Sequence, residues 1–215
     1  MISTSSLGSI VGTYVMVLVL FSVLASVGSI VTYIIIVVAN RAEPDPSGTR
    51  TSAIYHAGTA FIALWLEIVG VITIFFTLFN LIGTGHSTNF SNEVHPLGDS
   101  TIRGITIGLL LSMVGGYTAM THRQKAIDLA KNDESATSPS KRVVRSYAAV
   151  VSFICVIVVV VTVLALVWAF LGLIAPGVYQ TGSRTSDFRV LLDVATVMAV
   201  FSWVFSSHRR LVGVR

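Results

Sequence analysis

Residues 143–175 read VVRSYAAVVSFICVIVVVVTVLALVWAFLGLIA, and the 28 positions that follow Tyr147 hold no charged side chain. A bilayer core about 30 Å thick is crossed by a helix of about 20 apolar residues. A helix apolar on every side belongs either in a large core or in lipid. With 215 residues in all, the chain has no core large enough to hide this segment, so it reads as a membrane span. Working outward, four more stretches meet the same length: Leu7–Val38, Ala57–Ile82, Ile102–Thr121 and Phe188–Ser207. The composition agrees, with 53% hydrophobic residues, 11% charged ones and a mean hydropathy of +0.83. Soluble chains carry roughly 25% charged residues, so a soluble domain and a disordered chain are both excluded. A disulfide scaffold is excluded by the single cysteine, Cys155, inside the apolar run. The expected fold is an all-α integral membrane protein of five transmembrane helices.

The loops separate by charge. Arg41 and Arg50, then Arg123, Lys125, Lys131, Lys141, Arg142 and Arg145, then Arg209, Arg210 and Arg215 fall on one side. Only Arg103, Arg184 and Arg189 fall on the other, and the tail before Leu7 has no Lys or Arg. The positive-inside rule then puts the N-terminus outside and the C-terminus in the cytoplasm of a plasma (inner) membrane. The first stretch is longer than a bilayer core requires and far longer than the apolar part of a signal peptide, so it is expected to be a retained helix, tilted or bent near Gly28. The loops Ala42–Ser52 and Gln124–Ser140 are too short to fold as domains. The net charge of +4 follows from this topology rather than from a folded basic surface, and no nucleic-acid partner is expected.

A repeat organises the rest of the chain. Shifted by 92 positions, the second stretch lies on the fourth: Arg50 meets Arg142, Tyr55 meets Tyr147, Phe61-Ile62 meets Phe153-Ile154, and Leu81-Ile82 meets Leu173-Ile174. Shifted by 86, the third lies on the fifth, so that Arg103 meets Arg189 and His122-Arg123 meets His208-Arg209. Aliphatic matches between apolar helices mean little, whereas Arg, Tyr and His are scarce here and recur at equivalent helix ends. The reading is an unpaired N-terminal helix (1–40) followed by two helical hairpins, 50–123 and 142–215. Both hairpins start and end in the cytoplasm, so the copies are parallel. The tandem hairpins, each entered through arginine and closed by His-Arg, resemble a family of bacterial integral membrane proteins of unknown function over roughly residues 50–212. The resemblance implies architecture and a bacterial source, and brings no catalytic residues.

Few side chains can carry chemistry. Glu67 sits near the middle of its span, where an acidic residue costs about 2.5–3.5 kcal/mol and is a functional candidate by default. Ala60, Ala63, Gly70 and Ile74 share its face. It is either a protonatable site or a buried carboxyl bonded to Ser152, Thr162 or Ser112. Its repeat counterpart is Val159, so there is no symmetric pair of acids. Asp193 and Arg189 are spaced to pair at i, i+4 near the outer end of the last span, with Asp193 an outer partner for Glu67 if a conduction path exists. Arg103 holds the matching depth in the other copy. His122 and His208 raise a bis-histidine haem or pigment ligand, against which stands their place at basic helix ends, where cations suit the dipole. Gly104, Gly108, Ser112 and Gly116 form a stripe of small residues that lets a second helix approach closely.

No phosphate-binding glycine loop, nucleophile elbow, zinc motif or paired-cysteine motif occurs, and no Lys lies within a span. An enzyme is therefore not expected, and no cofactor or metal is. The leading expectation is a structural or accessory subunit packed beside other membrane-protein subunits in the bilayer, with respiratory and photosynthetic complexes as candidates. The alternatives are a small transporter or channel that uses Glu67, and a haem- or pigment-binding bundle.

Overall fold

The computed structural model describes residues 34, 37, 45, 48–82, 99–133, 138–174 and 184–212. The chain divides into two compact units, Met1–Pro44 and Asp45–Arg215, and the architecture below is that of the second. The first expected span, apart from residues 34 and 37, lies outside the described residues. The described part is all α, in four long helices: α1 (Thr49–Phe79), α2 (Asp99–Lys131), α3 (Pro139–Ile174) and α4 (Arg184–Val212). They hold the second to fifth expected spans. Each is long and apolar enough to cross a membrane. Their 29 to 36 residues exceed what a bilayer core needs, so their ends reach beyond it.

Two of the helix starts are set by an upstream aspartate. Gly48 takes a left-handed φ of 66°, which a residue with a side chain adopts only with strain. It offers no capping side chain, and the Asp45 carboxylate instead accepts the Arg50 N–H at 3.1 Å and lies 3.9 Å from the Arg50 guanidinium. At the start of α3 the buried Asp133 does the same for the Ser140 N–H at 3.2 Å, with Pro139 in the first turn where no N–H is needed. The Thr49 and Ser140 hydroxyls bond each other at 2.7 Å, so α1 and α3 begin side by side at the same end.

Packing is closest within α1–α2, where backbones meet directly. A β-carbon on Gly108 would lie 2.9 Å from the Gly70 carbonyl oxygen. One on Gly70 would meet the Ser112 backbone nitrogen, and one on Gly115 would lie 2.5 Å from the Glu67 nitrogen and 2.8 Å from the Ala63 oxygen. Small residues thus bring two helices to van der Waals contact over several turns, the packing that holds helices together in lipid. The stripe expected from the sequence is present in part. Gly104 faces the Thr77 side chain, Gly108 and Ser112 face Gly70, and Gly115 rather than Gly116 makes the next backbone contact. Helix geometry explains the shift, because contacts alternate steps of four and three as the helices cross, and a strict step of four drifts off the seam.

The buried core lies toward the basic end of the unit, between the hairpins. Ala53, Ala57, Ala60, Leu64 and Ile68 of α1 meet Tyr147, Ala148, Val151, Cys155 and Val158 of α3, with Ala119 from α2 and Phe201 and Val204 from α4. Outward, the helices present large apolar side chains, among them Tyr117 and Met113, 76% and 70% exposed. In water such faces would be an aggregation hazard; in a bilayer they are the solvent-matched surface.

Candidate functional site

Bordering the core lies a cavity of about 340 Å³. Glu67 reaches it from α1, Gly116 and Arg123 from α2, Tyr147 from α3, and Trp203, Ser207 and His208 from α4, against apolar walls such as Leu64 and Met120. Every described helix contributes. Glu67 has room for its carboxyl because position 116 is glycine: a β-carbon there would lie 3.3 Å from Oε1. The neighbouring Gly115 meanwhile holds the Glu67 backbone tight against α2. One glycine seats the residue and the next leaves space for its head group.

The phenol–imidazole pair is geometrically specific. His208 is 2% exposed, and its Nδ1 lies 2.9 Å from the Val204 carbonyl oxygen, which can only accept. Nδ1 therefore carries the proton, and in the neutral ring Nε2 accepts from the Tyr147 hydroxyl at 3.0 Å. Both ring nitrogens are thus engaged, and for His208 to ligate a metal one of these bonds must first break. His122 is also engaged, but with His56: their Nδ1 atoms are 3.0 Å apart, one donating and one accepting. The imidazoles that meet are His56 and His122, with Tyr55 edge-on to both rings at 5.1 and 5.7 Å between centroids.

Tyr55–His122 and Tyr147–His208 are the residues related by the shifts of 92 and 86. Their ring centroids are 5.7 and 5.5 Å apart, and both pairs cross at 67°. The pairs differ in surroundings, since Tyr55 is exposed and Tyr147 buried.

Glu67 is bonded to none of the three partners considered from sequence. The Thr162 hydroxyl donates back to the Val158 and Val159 carbonyls, the Ser152 hydroxyl is buried without a partner, and the Ser112 backbone packs on Gly70. Asp193 and Arg189 share a helix face but form no ion pair within 4 Å. Arg189 Nε instead donates to the Ile82 carbonyl oxygen, fastening the N-terminal end of α4 to the chain just past α1. Asp193 keeps one buried carboxylate oxygen without a hydrogen bond, and it does not line the Glu67 cavity. Arg103 is exposed near the start of α2. Among the described residues no group of three or more His, Cys, Asp or Glu could hold a metal ion.

Sequence reasoning therefore singled out Glu67 and His208 but not the neighbours that complete the cavity, Arg123 and Tyr147. Both stood in view as repeat markers: Tyr147 matches Tyr55, and Arg123 follows His122 as Arg209 follows His208. An aromatic recurring at the basic helix end of both hairpins, each time one hairpin length from a histidine, is the signal that could have joined them. Compared with protein-family models, with curated proteins and with solved structures, the chain matches none.

Proposed function

We propose that this chain is a small transporter of a bacterial plasma membrane that moves protons, alone or with a small charged solute, through the cavity at Glu67. The observation that carries this reading is the convergence of a carboxylate, a guanidinium and a phenol–imidazole pair on one cavity between the two hairpins. A carboxyl in a span is costly unless used or neutralised, and Glu67 is held there without a hydrogen bond to Ser152, Thr162 or Ser112. It can take up and release a proton, and Arg123 gives the same cavity a fixed positive charge for a counter-ion. The chain is read as crossing the bilayer five times, N-terminus outside and C-terminus in the cytoplasm, with its last four spans a parallel duplication of one hairpin. Supporting the duplication are the matched tyrosine–histidine pairs and the side-by-side starts of α1 and α3. The chemistry needs no enzymatic step and no cofactor.

The test is proton flux into vesicles containing the purified chain, driven by a potassium diffusion potential and read with a trapped pH-sensitive dye. Acidification faster than in protein-free vesicles, lost in Glu67→Gln while the variant still elutes as the parent does, supports the proposal. No flux above the protein-free rate, or an unchanged rate in Glu67→Gln, overturns it.

A second reading, an accessory subunit beside a larger membrane complex, is favoured by the outer stripe of α2. There Leu110, Met113, Val114, Tyr117 and Met120 follow one another at helical spacing, each more than half exposed. The small-residue stripe of the same helix is taken up by α1 and is not left for a partner. Purification in mild detergent with larger subunits attached supports this reading, and a chain that purifies alone removes it.

A further inference from the structure

A second cavity, of about 210 Å³, opens at the basic end of the unit between α2, α3 and α4. Ile127, Ala130 and Lys131 line it from α2, and Lys141, Val144 and Arg145 from α3; Leu211 closes it from α4. On each of the first two helices the residues are spaced i, i+3, i+4, so they share one face. The two faces oppose each other and place three cations around a floor of four aliphatic side chains. Among the described residues none that lines it is acidic. The acid buried nearby, Asp133, points its carboxylate at the Ser140 N–H and serves as the cap of α3.

The position in the fold matters as much as the charge. Val144 lies at the start of the fourth apolar stretch and Lys141 just before it, while Ile127 follows the end of the third by six residues, about 9 Å of helix. The apolar floor therefore begins where the spans end, and the ammonium and guanidinium groups sit at the level of lipid head groups. General positive-inside bias places cations on this side of the membrane, but it does not gather three of them around one concave apolar floor. A free phosphate would use the cations and leave the floor bare. A phospholipid uses both, with its phosphodiester among the cations and the first methylenes of its chains on Ile127, Val144 and Leu211. Basic pockets between membrane helices bind anionic head groups in this way.

We infer that the cavity formed by Lys131, Lys141 and Arg145 is a binding site for the head group of an anionic phospholipid. The inference rests on the chain lying in a membrane and not on the role proposed for Glu67. It is tested on the full chain in an uncharged detergent by native mass spectrometry, titrating dioleoylphosphatidylglycerol, dioleoylphosphatidylcholine and inorganic phosphate in turn. Phosphatidylglycerol should stay bound where phosphatidylcholine does not. Lys131→Gln, Lys141→Gln and Arg145→Gln should each weaken it about five-fold, and the triple variant about 100-fold. Lys125→Gln, at the same end but outside the cavity, should bind as the parent does. Unfolding measured without lipid shows whether each variant keeps its fold; with Lys131 exposed on the surface, Lys131→Gln is the variant least able to disturb it. Equal binding of the two lipids, equal loss in Lys125→Gln, or undiminished binding in a folded triple variant overturns the inference. So does inorganic phosphate binding to the same residues as tightly as the lipid, which would make the site one for a soluble anion.

Discussion

Two adjacent glycines of α2 should respond in opposite directions to the same mutation. In Gly115→Ala the new methyl would lie 2.5 Å from the Glu67 backbone nitrogen and 2.8 Å from the Ala63 oxygen. Ordinary contact needs about 3.4 Å or more, so α1 and α2 must part by close to 1 Å at that turn. A gap of 0.5–1 Å forfeits a quarter to a half of the dispersion attraction across it, and over-packing of this kind costs about 1–3 kcal/mol. Replacing glycine by alanine within a helix returns about 1 kcal/mol of backbone preference. The net effect of Gly115→Ala is thus a loss of up to about 2 kcal/mol. In Gly116→Ala the nearest atom is Glu67 Oε1 at 3.3 Å, the end of a side chain that can turn aside. That variant should be neutral or gain up to about 1 kcal/mol, leaving a difference of about 2 kcal/mol between neighbours. Unfolding in mixed micelles with increasing sodium dodecyl sulfate, followed by circular dichroism, measures both under one reference state. Gly115→Ala as stable as Gly116→Ala would refute the close backbone crossing at Gly115 and return the seam to a strict four-residue step.

Other outcomes follow from the same geometry. Tyr147→Phe leaves the buried His208 Nε2 without its donor and should cost about 1–2 kcal/mol, whereas the matching Tyr55→Phe, at a position 61% exposed, should change stability by about 0.5 kcal/mol or less; the same unfolding assay compares them. Asp133→Ala removes the cap of α3 and should destabilise by about 1–2 kcal/mol, and Asp133→Asn, which keeps an accepting oxygen, should recover most of it. Arg189→Gln should loosen the tie to the Ile82 carbonyl, seen as faster amide hydrogen exchange in the first turns of α4 with exchange near His208 unchanged.

Much of the fold could be read along the chain. The helical class and the four described spans follow from uninterrupted apolar runs such as 148–175, because a bilayer core penalises a charged or unpaired polar group strongly enough that composition alone decides the environment. The recurrence of Tyr55 at Tyr147 and of His122 at His208 was legible as two shifts, since rare polar residues at equivalent helix ends carry more information than any aliphatic match. Glu67 was conspicuous for the same reason, as the one acid in its apolar stretch.

The chain read in order could not say which side chains meet. Helix periodicity places Glu67 on a face, but the rotation of α1 against α2 is set where Gly70, Gly108 and Gly115 let backbones touch, and that choice among several small residues is made by three-dimensional packing. The same packing turns Arg189 to the Ile82 carbonyl instead of to Asp193, four residues along its own helix. It also gives His122 to His56 and His208 to Tyr147, and it gathers Arg123 and Tyr147 around Glu67. Spans are decided by transfer from water to lipid, a property of each segment taken alone. The cavity is decided by contacts among four segments, which no one of them contains.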